Sequence, residues 1–448
     1  MSAAALGASL IQLGLNGTQI LNLFTPQGDV LGTGLKEVIA QLGTLGLPDP
    51  IPSQLVDPVI QVLPGLYGGY PTSVDVAPSA LFLALFAVLG LASLFVFVRD
   101  WSRGHRFYML FGNFGYCMLK VIGFATRIDW AGYTLRLNSG LASVVFIQVA
   151  PLWLNAYTVI MGHRIFTWRH PETGASRFFA IFSTLVYLLV FGILLMAILG
   201  EGLPYLYFYT PESLHRCHQV AQASGIFELI YCILGMQYVG LAYMFAPGTL
   251  THNVFRKPAH DPSRPLPLTL QPTWIEKTSI FYYPLKGSQT ILYRDDPLGS
   301  AIRIINTREV PAGGKSHPQN SDHSHGPAIK VLIFHTFLIS IALLFAASIR
   351  VASVFMYDKT QGGYGAPVGN WTFRNYPMYI THGAVEVLVV VYMLIFRFDL
   401  LYYIPDMAKR GANPNPPSPT TGLDEEPKMS NDHDGSLNTA DEQPTTQE

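Results

Sequence analysis

Residues 79–98 read SALFLALFAVLGLASLFVFV, twenty residues without a charged side chain. An α-helix needs about 20 predominantly apolar residues to cross the hydrocarbon core of a bilayer. The long Leu, Phe, Val and Ala runs lack the alternation of barrel strands. Six further predominantly apolar stretches reach this length, near residues 107–126, 140–162, 178–200, 225–246, 331–354 and 377–396. The sequence therefore predicts an all-α fold, a polytopic bundle of seven transmembrane helices.

The composition of the chain is that of a membrane protein. Half of the 448 residues are hydrophobic and only 13% are charged, whereas a soluble domain carries about 25% Asp, Glu, Lys and Arg. The 28 basic and 29 acidic residues give a net charge of -1, so nucleic acid is not expected as a partner. Three cysteines are too few for a disulfide scaffold. We expect helix packing to hold the fold together.

The distribution of basic residues predicts the orientation of the bundle, because short loops rich in Lys and Arg stay in the cytoplasm. Residues 99–106 of the first loop hold three arginines, and residues 164–177 around the third loop hold three more. The N-terminus is therefore expected outside and the C-terminus inside. The two Asn-X-Ser/Thr acceptors, Asn16 and Asn370, fall on the predicted outer side, where glycosylation occurs.

Three regions lie around the predicted seven-helix domain of residues 77–405. Residues 1–76 form an extracellular segment, in which apolar positions recur at helical spacing from Val30 to Leu45. This predicts either an amphipathic helix on the outer leaflet or a short helix packed ahead of the first span. Residues 247–330 form a cytoplasmic insert, either a small β-rich unit or a loose loop. Residues 406–448 form an acidic tail rich in Pro, Ser and Thr, which we expect to be disordered.

Several ionisable and amide side chains lie inside the predicted spans. A charged side chain at the centre of a span costs about 2.5 to 3.5 kcal/mol, so it usually faces the bundle interior and has a partner. The candidates for a ligand-binding site are Lys120, Arg127, Gln148, Asn155, Glu228, Arg350, His382 and Glu386. Neighbours on one helix are spaced so that they share a face. We expect these side chains to converge on one outward-facing polar cavity.

Lys120 is the residue of this set that most needs a partner of opposite charge. A lone ammonium at its depth would lose its proton or draw in water, so it is expected to pair with Glu228 or Glu386. The alternative is that its side chain extends to the outer headgroups. Arg127 and Arg350 are near span ends and are either interfacial anchors or ligand groups.

The third span offers amide groups and a proline. Gln148 and Asn155 either hold a ligand or make interhelical hydrogen bonds worth about 0.6 kcal/mol each. Pro151 predicts a kink that frees backbone carbonyls.

No catalytic constellation is visible in the sequence. A membrane zinc hydrolase needs about three metal ligands and an open water position, but only His335 and His382 are embedded in the predicted spans, near opposite faces of the membrane. Phosphate-loop, serine-elbow and dinucleotide motifs are absent from the sequence. We therefore expect a non-enzymatic protein without a metal or a cofactor.

The second span carries a familiar spacing. Lys120-Val-Ile-Gly123-Phe124-Ala-Thr-Arg127 resembles the Glu-x-x-Gly-Tyr-x-x-Arg motif of the fungal seven-span RTA-like proteins, the lipid-translocating exporter family. The chain has Lys120 where that family has Glu. Other segments similar to the family are Ala150-Pro151 with Ala156 and Arg164-Ile165, Gly235-Met-Gln237, Ile349-Arg350, and Asp358-Lys-Thr-Gln361-Gly362.

The resemblance covers residues 76–405 and marks the chain as a member of this family or of a related fungal membrane family of unknown function. It implies movement of lipids or sphingoid bases across the plasma membrane, linked to stress or to drugs. Our leading interpretation is a protein that binds an amphipathic molecule in its polar cavity and translocates or exports it, with charges of mixed sign suited to a zwitterionic headgroup. The alternative is a seven-span receptor, whose insert or tail recruits a cytosolic partner.

Overall fold

The computed structural model describes residues 16–44, 53–63, 65–102, 108–170, 173, 177–245, 290–292, 304–306, 326–356 and 371–402. Seven helical segments in these ranges are long and apolar enough to cross a membrane, so the predicted all-α, multi-pass architecture is confirmed. We name them the first to the seventh span; they are Ser73–Ser102, Tyr108–Gly132, Leu137–Phe166, Arg177–Leu206, Pro211–Met244, Lys330–Phe355 and Asn375–Ile395. Asn370, most of the insert and the acidic tail lie outside the described residues.

The helices of the chain are numbered in order. Three precede the first span: α1 (Gly17–Phe24), α2 (Leu35–Thr44) and α3 (Ser53–Val62). The first two spans contain α4 (Val76–Ser102) and α5 (Tyr108–Gly132), and the fifth and sixth contain α10 (Pro211–Met244) and α11 (Gly326–Phe355). In the insert, the strands β1 (Thr290–Leu292) and β2 (Ile304–Asn306) pair antiparallel, with Ile291 opposite Ile305.

The other three spans are interrupted. The third consists of α6 (Leu137–Val149) and α7 (Pro151–Arg169), and this break at Pro151 is the one that the sequence predicts. The fourth runs from α8 (Arg177–Ala197) through a π-helical turn (Ile198–Gly202) to α9 (Leu203–Leu206). The seventh runs from α12 (Asn375–Met378) through a π-helical turn (Tyr379–Val385) to α13 (Glu386–Ile395), and α14 (Phe398–Leu401) follows it. Such turns occur frequently at functional sites.

The three N-terminal helices share a small core of their own. Leu21 of α1, Val38 and Leu42 of α2, and Val59 of α3 are all buried in it. Asn16 caps α1 by accepting a hydrogen bond from the backbone N–H of Gln19. The apolar face of α2 therefore packs inside the protein, as in the second of the two alternatives for this segment.

The N-terminal helices are also joined to the membrane bundle. The N–H of Val30 donates to the carbonyl of Tyr209 at 2.9 Å, and the N–H of Gly34 donates to the carbonyl of Pro204 at the same distance. Both acceptors lie around the link between the fourth and fifth spans. The N-terminal segment thus covers the end of the bundle where the fourth span ends.

A charged cluster that the sequence analysis missed lies after the seventh span. The Arg397 guanidinium contacts Asp100 at 2.7 Å and Asp399 at 2.9 Å, and all three side chains are buried. Asp100 is in the last turn of α4, so this cluster fixes the end of the seventh span to the end of the first. A buried guanidinium requires such partners, because an unpaired charge in a low-dielectric interior is costly.

Candidate ligand-binding site

Besides the cluster at Arg397, two further buried charge clusters lie among the described residues of the spans. The first joins the second and seventh spans; we call it the enclosed cluster. Lys120 Nζ lies 2.7 Å from Glu386 Oε2, and both side chains have no exposed surface. His382 Nδ1 lies 2.9 Å from Glu386 Oε1. The Tyr116 hydroxyl donates a hydrogen bond to Glu386 Oε2. The Glu386 carboxylate is therefore buried and contacts three side chains.

Backbone carbonyls complete the surroundings of the lysine. Lys120 Nζ donates to the carbonyl of Ile147 at 2.7 Å and to that of His382 at 3.2 Å. The second and third spans approach closely here because residue 123 is glycine: a Cβ at that position would lie 2.8 Å from Ile147 Cγ1. Lys120 is therefore fully partnered and does not extend to the headgroups.

The second cluster, which we call the arginine cluster, joins the third, fourth, fifth and sixth spans. Arg350 donates to Glu228 Oε2 and to Glu201 Oε1, the latter at 2.9 Å. Arg350 Nε also donates to Gln148 Oε1 at 3.3 Å. With both carboxylates ionised, this cluster carries one excess negative charge. Glu201 is its most exposed member, with 21% of its side chain accessible.

The arginine cluster forms part of the wall of a cleft beneath the N-terminal segment. The cleft encloses about 690 Å³ of space between protein atoms, part of it open to the surroundings. Gln148, Glu201 and Arg350 supply its charged and amide groups, and the rest of the lining is mainly apolar. The lining includes Leu66, Trp130, Leu141, Val144, Val145, Ala197, Ile198 and Tyr205. A mostly apolar cleft with a few convergent polar groups is typical of small-molecule sites.

Tyr67 links the two clusters. Its hydroxyl is 2.6 Å from Thr381 Oγ1, and its ring packs edge-on against the His382 imidazole with the ring centroids 5.5 Å apart. Its carbonyl lies 3.5 Å from Gln148 Nε2. Burial raises the pKa of the Tyr67 hydroxyl above its usual range, so this group is a neutral hydrogen-bonding partner.

Arg127 has a different role. It is buried, and its guanidinium donates to the carbonyl of Gly68 at 2.5 Å and to the hydroxyl of Tyr379 at 3.2 Å. Gly68 has a φ of +83°, a conformation that glycine adopts without strain. Arg127 therefore holds the N-terminal segment on the bundle and is not an interfacial anchor.

The prediction of a single polar cavity is wrong for the described part of the chain. Lys120, His382 and Glu386 form the enclosed cluster, while Gln148, Glu228 and Arg350 belong to the arginine cluster. Arg127 lies apart from both, and Asn155 is buried beside the Cys232 thiol of the fifth span. The rings of Phe86 and Tyr116 lie beside the Lys120 ammonium, and the Tyr67 ring packs on His382. Of the eight predicted residues, only Gln148 and Arg350 line the cleft.

Sequence reasoning missed Glu201 and Tyr67. Glu201 follows immediately after the predicted end of the fourth span, so it falls outside the stretches searched for ionisable side chains. The neighbouring Gly200 and Gly202 are the available signal, because a carboxylate between two glycines at a span end marks an irregular turn. Tyr67 precedes the first span and carries no comparable signal. Within the described ranges, no group of three or more His, Cys, Asp or Glu side chains is arranged to hold a metal ion.

Comparison with known proteins places the chain in a family. Comparison with curated proteins and comparison with solved structures find no match. Residues 171–403 match a family described as protein of unknown function (DUF3112). This segment runs from the start of the fourth span past the end of the seventh, and includes Glu201, Glu228, Arg350, His382 and Glu386. It is just over half of the sequence, and the chain therefore belongs to the DUF3112 family.

Proposed function

We propose that this protein binds an amphipathic molecule in the cleft and moves it across or out of the plasma membrane. The observation that carries the proposal is the composition of the cleft wall, which is mainly apolar, with Gln148, Glu201 and Arg350 as its amide and charged groups. An acyl or alkyl chain would bury its surface against Val144, Val145 and Ile198. Such burial contributes about 0.8 kcal/mol for each CH₂ group removed from water, although a chain that arrives from the bilayer gains less.

The excess negative charge at the cleft favours a ligand with a cationic headgroup. Arg350 is already matched by Glu228, whereas Glu201 is partly accessible and shares the same guanidinium. The excess negative charge favours a ligand that carries an ammonium group. A single-chain amine, such as a sphingoid base, has this combination of a cationic head and an apolar tail. A zwitterionic phospholipid also offers an ammonium, but its phosphate would meet the carboxylates.

Translocation, as opposed to binding alone, is supported by the resemblance to the lipid-translocating exporters. The two π-helical turns lie at the points where the fourth and seventh spans reach the clusters. Irregular helices near a binding site are also a feature of transporters, in which interrupted helices surround the site.

Flux across liposomes tests the proposal. The full chain is reconstituted, and the transbilayer movement of a fluorescent long-chain amine is compared with that of a zwitterionic phospholipid carrying the same dye. We expect protein-dependent movement of the amine. Val144→Phe, which fills the cleft, should abolish this movement, while Leu188→Phe on the outward face of the fourth span should not, because Leu188 is 54% exposed and lies away from the cleft.

The same experiment separates transport from a receptor function. Saturable binding of the amine without protein-dependent movement would reject transport and favour the receptor, which signals through the insert or the tail. Absence of both binding and movement would reject the proposed ligand class.

A further inference from the structure

His382 has an imidazole nitrogen with no hydrogen-bond partner. The residue is fully buried, and its Nε2 contacts no donor or acceptor among the described residues. Its Nδ1 lies 2.9 Å from Glu386 Oε1. An ionised carboxylate only accepts hydrogen bonds, so Nδ1 carries the hydrogen and Nε2 carries a lone pair. This lone pair is a vacant protonation position in the middle of the bundle.

Charged and titratable groups surround the pair of His382 and Glu386. The Tyr67 ring packs on the imidazole, and Glu386 lies one turn away on the seventh span. The second span contributes Tyr116 and Lys120, which contact Glu386, and Cys117, which lies near both Lys120 and Glu386. Arg350 of the sixth span acts on His382 through its charge, and Glu228 of the fifth acts on Glu386. In the closed arrangement, Lys120 and Glu386 balance each other, and a second cation would leave a net positive charge buried.

We propose that His382 Nε2 is a proton-binding site that is vacant in the closed arrangement and filled when the bundle opens. On opening, solvent reaches the cluster, and the Nε2 lone pair takes up one proton from hydronium, which forms an imidazolium and releases a water molecule. His382 and Lys120 then share the single carboxylate of Glu386. A buried unpaired charge is expensive, so the protonated cluster is stable only where water can solvate it.

The sign of the pH dependence follows from this difference. The open arrangement binds one more proton than the closed one, so acid favours opening and the closed arrangement loses stability as the pH falls. The shift from the closed to the open arrangement would occur in the pH range in which histidine commonly titrates, because the imidazole takes up its proton in the hydrated, open arrangement.

The enclosed cluster is connected to the cleft by contacts already described. Thr381 adjoins His382 on the π-helical turn and pairs with the Tyr67 hydroxyl at 2.6 Å. The Tyr67 carbonyl lies 3.5 Å from Gln148 Nε2, and Gln148 accepts from Arg350 in the cleft wall. A movement of the turn would therefore displace Tyr67 and alter the cleft. This coupling step rests on the proposed function, whereas the proton site does not.

Cys117 provides a measurement that needs no ligand. It is fully buried one turn from Lys120, and it becomes the only thiol when Cys217→Ser and Cys232→Ser are introduced, because the chain has three cysteines. The rate of Cys117 modification by a dipyridyl disulfide is measured in liposomes with His382 present and with His382→Asn, whose amide keeps the hydrogen bond to Glu386 but cannot titrate. The rate with His382 present is divided by the rate with His382→Asn. This ratio cancels the intrinsic pH dependence of the thiol.

We expect this ratio to rise on the order of tenfold between about pH 8 and pH 5. A flat ratio would overturn the proton site. His335→Asn is the matched control, because His335 is also buried with its Nε2 unpartnered among the described residues, but its Nδ1 pairs with the neutral hydroxyl of Tyr392 and not with a carboxylate. Cys117 in His335→Asn should react as it does in the protein with both histidines. Equal effects of His335→Asn and His382→Asn on the rate of Cys117 modification would also overturn the proposal. If His382→Asn does not fold, His382→Gln replaces it.

A second measurement tests the coupling. Binding of octadecylamine to the full chain is measured over the same pH range with and without Tyr67→Phe, which lacks the hydroxyl that contacts Thr381. We expect the affinity for octadecylamine to depend on pH and Tyr67→Phe to weaken this dependence. The pH response of Cys117 modification should be unchanged in Tyr67→Phe. Binding that is independent of pH would overturn the coupling but not the proton site, whereas absence of binding at every pH would reject the proposed function and leave the Cys117 result to decide the proton site.

Discussion

The ammonium of Lys120 occupies the place that a backbone N–H would take at the carbonyl of Ile147, at a distance of 2.7 Å. In a continuous helix, this carbonyl would accept from the residue four positions later. That residue is Pro151, which has no N–H to donate. The proline thus supplies the acceptor, and the glycine at 123 allows the second span to reach it. Two residue types that disfavour helices create the environment of a buried lysine.

The close approach at Gly123 predicts a cost for any side chain there. Gly123→Ala places its Cβ 2.8 Å from Ile147 Cγ1, and such overpacking costs about 1 to 3 kcal/mol. Thermal unfolding in detergent should show a lower midpoint. Gly115→Ala is the matched control on the same helix, because its Cβ would meet nothing within 4 Å; it should be neutral or slightly stabilising. Equal effects would contradict the described packing.

The pairing of Lys120 with Glu386 predicts strong coupling between the two substitutions. Lys120→Met alone leaves a buried carboxylate, and Glu386→Gln alone leaves a buried ammonium, so each should cost about 3 to 5 kcal/mol. The double variant removes both charges and should be more stable than either single one. A double-mutant cycle on the free energy of unfolding measures this coupling. Additive effects would show that the two groups do not interact.

The contacts of Arg127 predict that it anchors the N-terminal segment. Arg127→Met removes the hydrogen bonds to Gly68 and Tyr379, and hydrogen bonds to charged groups contribute about 1.5 to 3 kcal/mol. Trypsin cleavage after the exposed Lys36 of α2 should become about tenfold faster or more, because opening of the segment limits it. Arg136→Met removes an exposed ion pair with Asp129 and should change the rate little. An unaltered rate in Arg127→Met would remove the anchoring role.

The position of Glu201 predicts ligand selectivity. Glu201→Gln keeps the shape of the side chain and a hydrogen-bonding oxygen for Arg350 but removes the excess negative charge. Binding of octadecylamine should weaken by about 1 to 3 kcal/mol, while binding of the uncharged octadecanol should not weaken. Competition between the two ligands measures the difference. A parallel loss for both would show that Glu201 has a structural role only.

The fold was predictable because membrane spans are specified locally. Each span is an apolar run of sufficient length, and a lipid environment allows few alternatives to a helix. The kink at Pro151 was predictable because it also has a local cause: proline has no N–H, so the helix loses a backbone hydrogen bond at this position. The π-helical turns around Glu201 and His382 were not predicted, because they depend on packing between spans that no single run of sequence encodes.

The candidate site was predictable in part. Burial of Lys120, Glu228, Arg350, His382 and Glu386 followed from the cost of charges in a bilayer, and Glu386 was one of two expected partners of Lys120. The division into two clusters depends on Tyr67, which a segment before the first span inserts between them. The sequence has no periodicity that reveals such a long-range contact. The sequence analysis does not predict the excess charge at the cleft either, because Glu201 lies one residue beyond the predicted fourth span.

Quenching of Trp130 tests the central claim most directly, because this side chain lines the cleft. Dibrominated octadecylamine is titrated into the full chain in detergent, and the signal of Trp130 is the difference between the natural protein and Trp130→Phe. We expect a saturable difference that Val144→Phe abolishes and Leu188→Phe preserves. A difference that never saturates, or one that survives Val144→Phe unchanged, would contradict binding of the amphipathic amine in the cleft.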